Sequence, residues 1–259
     1  MKTSATIRII IYSLLFIVLL SLLVGGILAG KWISELSFWV PSGKTKVTER
    51  SVNAEICSNL DIEWAAGSIK IMVGGSDKIT VKESKDSNNP YTISTDCDDD
   101  TLSIQYFDSF SLNFGNLSSK DLTIIVPQNW NCEELTINGA ALDIDISGLN
   151  VESLELDGAA TELTFSGSLG KLDCDGAAAE INLKCTNAPD RITIDGAACE
   201  LDLTLPANSG FLVDAEGLAI DFRSDCAYAT YNGKYSYGNE RCKIQVSGLG
   251  CKVSVDEVE

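Results

Sequence analysis

The sequence predicts an all-β protein, a single-stranded β-solenoid (β-helix) of about 18–20 residues per coil preceded by one N-terminal transmembrane α-helix. Three observations predict it. One phrase is repeated four times, as Ile137-Asn-Gly-Ala-Ala141, Leu156-Asp-Gly-Ala-Ala160, Cys174-Asp-Gly-Ala-Ala178 and Ile194-Asp-Gly-Ala-Ala198, with steps of 19, 18 and 20 residues between Gly139, Gly158, Gly176 and Gly196. Each phrase leads into an apolar-polar-apolar triplet, Ile144-Asp-Ile146, Leu163-Thr-Phe165, Ile181-Asn-Leu183 and Leu201-Asp-Leu203; such alternation is the mark of a strand with one face inward and one wet. Near the N-terminus, Ile9 to Ala29 runs 21 residues without a charge.

That apolar run spans roughly 31 Å as a helix, enough to cross the hydrocarbon of a bilayer. Lys2 and Arg8 precede it and an acidic chain follows it, which orients residues 1–8 to the cytoplasm and the bulk of the chain outside. Retention as an anchor over 9–29 is favoured over a cleaved signal peptide, because the apolar region is long and Ile27-Leu28-Ala29 is a poor cleavage site. Residues 30–51 form a juxtamembrane linker whose Trp32, Phe38 and Trp39 suit the membrane interface and whose Pro41-Ser-Gly-Lys44 reads as a hinge. The expected localisation is the cell membrane, single-pass, with the C-terminal domain extracytoplasmic.

The solenoid is expected over 52–255. Leu60-Asp-Ile-Glu-Trp64, Ala65-Ala-Gly67 and Ser68-Ile-Lys-Ile71 make a looser version of the later phrase and read as the first coil. Leu102-Ser-Ile-Gln-Tyr106 follows the acidic run Asp96-Cys-Asp-Asp-Asp100, read as a hairpin tip whose oxygens leave calcium open. Leu122-Thr-Ile-Ile-Val126 ends at Pro127, which lacks the N–H to continue. After Leu205-Pro206 the chain keeps coiling, through Phe211 to Phe222 and then Ile244 to Val255, with a tyrosine-rich hairpin around Asn232-Gly233 between them. That hairpin reads as a cap over the last coil, and the acidic tail 256–259 as a second guard against edge-to-edge pairing.

Charge and composition exclude several functions. The chain carries 19 basic and 37 acidic residues, a net charge of −18, and no histidine. Nucleic-acid binding, which needs clustered cations, is disfavoured, and histidine-dependent triads and the commonest zinc ligand are absent. Stacked in register, the repeats would line up Asp157, Asp175 and Asp195 in one column and Glu162, Glu180 and Glu200 in another. Carboxylates about 4.8 Å apart repel by roughly 1 kcal/mol even in a water-like dielectric, so this face should attract cations, calcium or cationic peptides among them.

Nine cysteines include no Cys-x-x-Cys pair, which disfavours zinc and dithiol redox chemistry. Cys226 and Cys242, flanking the hairpin, are the best-placed disulfide. Cys199 and Cys251 hold equivalent repeat positions, but a coil around Gly217 is expected between them. Cys174, on an inward position, reads as a small core residue.

From Leu60 to Ile71, then Thr101 to Ile104, then Leu122-Thr-Ile-Ile-Val-Pro-Gln128 and the Gly-Ala-Ala coils, the chain resembles the bacterial putative-adhesin family, a domain of unknown function, over roughly 52–255. The resemblance implies an extracytoplasmic β-solenoid, often tethered to the membrane, in cell-envelope proteins, some linked to envelope stress; it carries over no catalytic residues. The function expected is therefore non-catalytic binding, with the membrane and a surface protein, peptide or glycan as partners and no obligatory cofactor. Envelope-stress or cationic-peptide sensing is the alternative. A β-helical polysaccharide lyase is remote, because nothing around Arg191 or Arg223 forms a proton-abstracting constellation, and an end-to-end polymer is disfavoured because both termini look blocked.

Overall fold

The computed structural model describes residues 46–85, 94–106 and 120–258. The proposed anchor at 9–29, its linker up to residue 45, and residues 86–93 and 107–119 lie outside the described residues. Residues 44–259 form one compact unit.

Among the described residues the chain is all-β, with a single 3-10 turn at Ala54–Ile56 and no α-helix. The strands are β1 (Lys46–Asn53), β2 (Asn59–Glu63), β3 (Ala66–Gly74), β4 (Lys78–Lys85), β5 (Ser94–Asp98), β6 (Thr101–Gln105), β7 (Lys120–Pro127), β8 (Asn131–Cys185), β9 (Arg191–Leu205), β10 (Phe211–Arg223), β11 (Ala229–Tyr231), β12 (Lys234–Tyr237) and β13 (Cys242–Glu257). They join one open sheet in the order β1-β4-β7-β3-β8-β9-β13-β10-β12-β11, with β2, β5 and β6 on a side branch. The first strand thus begins before position 52, pairing antiparallel with β4 from Lys46↔Lys85 to Asn53↔Lys78.

The repeats pair in parallel and in phase. Gly176 lies opposite Gly196, Glu180 opposite Glu200 and Ile181 opposite Leu201. The looser first phrase joins them, with Leu60 opposite Leu135, Ile62 opposite Ile137 and Ile69 opposite Ile144. Within β8 (55 residues) buried and outward positions alternate along short straight runs, and the phase shifts between runs, as from Ile137 to Leu142 and from Cys174 to Ala179, so the inward positions stay apolar across three phrases. The result is columns of like side chains, such as Leu172, Ile192 and Ile244, or Leu183, Leu203 and Val255, each at most 2% exposed. Fully burying such a side chain is worth about 1.5–3 kcal/mol, and the core is continuous from Leu60 to Val255.

Glycine sits at the corners because backbone stacks directly on backbone there. A β-carbon on Gly176 would lie 2.5 Å from the carbonyl oxygen of Gly158, one on Gly196 2.7 Å from that of Gly176, and one on Gly139 2.1 Å from that of Trp64. At another bend, Asn187 replaces a strand partner with its side chain, accepting from the Leu169 N–H at 2.8 Å and donating to the Leu169 carbonyl at 2.9 Å.

The C-terminal layers depart from chain order. β13 inserts between β9 and β10, with Gly248 opposite both Gly196 and Gly217. The expected coil between Cys199 and Cys251 is therefore not there, and these two face each other across adjacent strands and form a disulfide. Cys57 is disulfide-bonded as well. The expected Cys226–Cys242 bridge does not form: both are free thiols. Cys242 is fully buried at the start of β13, opposite Phe211, whereas Cys226 lies half-buried in the segment beyond β10, where its backbone N–H donates to Ser224 Oγ. Insertion also separates like charges, because Lys252 comes to stand between Glu200 and Asp221 instead of leaving the two carboxylates adjacent.

The hairpin turns at Asn232-Gly233, both with positive φ (49° and 78°), the conformation that Asn-Gly supplies at little cost. It covers less than expected. β12 pairs with β10 only from Phe211 to Asp214, while Tyr235 stacks on Phe222 with ring centroids 4.2 Å apart. The acidic tail is not a free guard either: Asp256 and Glu257 belong to β13, and Glu257 accepts from the backbone N–H groups of Asn208 (3.0 Å) and Gly210 (2.7 Å).

Candidate functional site: the acidic columns

The outward phase of the stacked repeats carries the charge. Asp175 stands opposite Asp195 and Glu180 opposite Glu200 by strand register. Asp157 acts electrostatically on Asp175, and Asp143 and Glu180 act on Glu162, so each column extends over the earlier phrases too. The carboxyl of Glu162 is raised above its ordinary range by partial desolvation and then by the charges of Asp143 and Glu180. Asp175 is raised by partial desolvation, then by Asp173, Asp195 and Asp157. Two cations quench the ends of this face: Lys252 lies 3.3 Å from Glu200, and Lys70 lies 3.2 Å from Asp145.

Gly139, Gly158, Gly176 and Gly196, predicted as turns, lie within the strands β8 and β9 between these columns, where a β-carbon would meet backbone of the neighbouring layer. Among the described residues no group of three or more acidic or cysteine side chains converges as a metal would require. The acidic run before Leu102 makes a hairpin, with Asp99 and Asp100 at its tip in the left-handed region and β5 paired antiparallel to β6.

The four buried free thiols offer no nucleophile. Cys132, Cys174, Cys185 and Cys242 are buried in the core, and desolvation pushes each up to about 12. A thiol that stays protonated at neutral pH neither attacks nor ligates.

One buried polar cluster escaped the sequence reading. Lys120 Nζ lies 2.7 Å from Glu83 Oε1, with both side chains 2% exposed, and 4.0 Å from the centre of the Tyr106 ring. Trp64 packs against Tyr106 at 5.0 Å and donates its indole N–H to the Lys120 carbonyl at 3.1 Å.

No protein-family model and no curated protein matches the chain. Among solved structures, it is similar to a putative cell adhesion protein from Clostridium sporogenes, at 14% identity and a TM-score of 0.51, over 83% of this chain and 100% of that one. A putative adhesin from Bacteroides fragilis matches at 13% identity and a TM-score of 0.39, over 83% and 98%. A putative lipid binding protein from Parabacteroides distasonis matches at 16% identity and a TM-score of 0.36, over 84% and 98%. The first likeness is one of fold alone.

Proposed function

We propose that this is a non-catalytic, membrane-anchored protein of the bacterial cell envelope that presents an acidic β-solenoid outside the membrane for binding, as an adhesin does. The observation that carries the reading is the in-phase parallel stacking of the glycine corners, which turns a repeated phrase into long columns of outward side chains. Such columns make a regular surface without a reaction centre, and the buried thiols add no nucleophile to it. The fold likeness to a putative cell adhesion protein supports the same reading. For the anchor, the support is the uncharged run Ile9 to Ala29 behind Lys2 and Arg8.

The test is topology in the cell. With an epitope fused after Glu259, the protein should stay with membranes through alkaline carbonate extraction, and antibody should reach the epitope on intact spheroplasts. Recovery in the soluble fraction, or an epitope reached only after lysis, would overturn the proposal.

A further inference from the structure

Most of the ion pairs in the described part of the molecule tie a cation to one of the chain's own carboxylates across neighbouring strands, as Lys70 with Asp145, Lys82 with Glu49, Lys234 with Asp214 and Lys252 with Glu200. One line of cations is different. Lys171 on β8, Arg191 on β9 and Lys243 on β13 stand directly opposite one another on three successive strands, all exposed. Among the described residues, no carboxylate comes within ion-pair distance of any of the three.

The neighbouring outward positions are Asp173, Thr193 and Gln245, two residues further along the same strands, and Asp190 and Arg241 flank the line. Cations stacked at the strand spacing of about 4.8 Å repel one another by roughly 1 kcal/mol per pair in a water-like dielectric. An anion laid along them relieves that repulsion. At physiological ionic strength the Debye length is about 8 Å, so a group bound there feels the three cations and their immediate neighbours, and little of the acidic columns beyond.

Beside the line lies an open polar groove of about 620 Å³ in which Lys171 and the amides of Asn131, Asn150 and Asn187 stand beside the carboxylates of Glu133, Glu152 and Asp190. Its amides suit the hydroxyl groups of a sugar, while its three carboxylates repel a sugar's own carboxylates and turn them out of the groove toward the stacked cations. One strand-to-strand step is also close to the length of one sugar in an extended chain.

We infer that the Lys171, Arg191 and Lys243 line, with its adjoining groove, binds an extended anionic polysaccharide carrying carboxylates on successive sugars. This rests on the binding role proposed above and names its ligand class. Its test is made on purified protein, so a misplaced epitope on cells would sink the cellular role and leave the site standing.

The experiment is titration calorimetry of the full chain in detergent with polygalacturonate fragments, neutral dextran and phosphatidylglycerol vesicles as probes. Polygalacturonate should bind saturably and weaken steeply from about 50 to about 500 mM salt, and dextran should not bind. The triple variant Lys171→Gln, Arg191→Gln, Lys243→Gln should lose about tenfold or more in affinity with its melting temperature kept. Lys184→Gln, at an exposed lysine off the line, should bind as the parent does. A charge-keeping triple, Lys171→Arg, Arg191→Lys, Lys243→Arg, should retain binding even if the glutamine triple folds poorly. No binding by the parent, equal binding by a folded glutamine triple, equal affinity for dextran, or binding confined to the vesicles would each overturn the inference.

Discussion

The ammonium of Lys120 sits where the alternation of its strand calls for an aliphatic side chain, in phase with Leu122, Ile124 and Val126, all of which are fully buried. Glu83 does the same on β4, in phase with Ile79 and Val81. Two charges taken out of water are tolerated because they meet at 2.7 Å and the lysine also lies over the Tyr106 ring. Removing one partner leaves the other buried and uncompensated. Lys120→Met alone should therefore destabilise by about 3–5 kcal/mol, and Lys120→Met with Glu83→Leu should recover most of that. Urea unfolding of the two variants checks it; a double variant no better than the single would show that the pair contributes through something other than mutual neutralisation. The cluster was legible in part: a lysine and a glutamate each on an apolar phase is a signal, but nothing in the sequence pairs positions 83 and 120 across 37 residues.

At the level of the elements, the corners of the repeat decide how closely layers approach. Adding a methyl at Gly176 puts it 2.5 Å from the Gly158 carbonyl oxygen, so Gly176→Ala must push the layers apart. The expected cost is about 1–3 kcal/mol, as for other overpacked sites. Gly250, also near a corner, faces open space, and Gly250→Ala should be neutral or slightly stabilising by up to about 1 kcal/mol. Denaturant midpoints of the two variants separate the cases, and similar losses at both positions would mean that glycine is needed there for chain conformation and not for close approach. The phrases were easy to read because each pairs with a near copy of itself. The position of β13 was not, because Gly217 and Gly248 are equally good continuations after Gly196, and what separates them is long-range: the match of Cys251 to Cys199 and of Lys252 to Glu200. The same ambiguity hid the Cys199–Cys251 disulfide, whereas Cys226 and Cys242 looked like a pair because they flank the hairpin.

For the molecule as a whole, stacking like carboxylates sets how stability depends on pH. Glu162 and Asp175 have folded-state values raised above their ordinary range by desolvation and by neighbouring carboxylates. The folded state then holds more protons than the unfolded one just above that range, so stability increases as pH falls from neutral toward it. The melting temperature should accordingly be higher near pH 5 than at pH 7, added salt at pH 7 should raise it too by screening the columns, and Glu162→Gln should flatten the pH response. Melting curves at constant ionic strength test this; a lower melting temperature near pH 5 would mean that ion pairs such as Lys252 with Glu200 outweigh the repulsion. The alternation made the columns readable from the sequence, whereas which carboxylates are quenched depends on where Lys252 and Lys70 fall in the stack. The out-of-order insertion has a further consequence for synthesis. A repeat array that grows layer upon layer can be shortened from its end and still stand, but here the segment beginning at Cys242 fills a gap between two layers that are made before it. Until that final stretch has left the ribosome, Ile192 and Val213 lack Ile244, the neighbour that joins them, so a premature stop would remove an internal course of the wall instead of its coping.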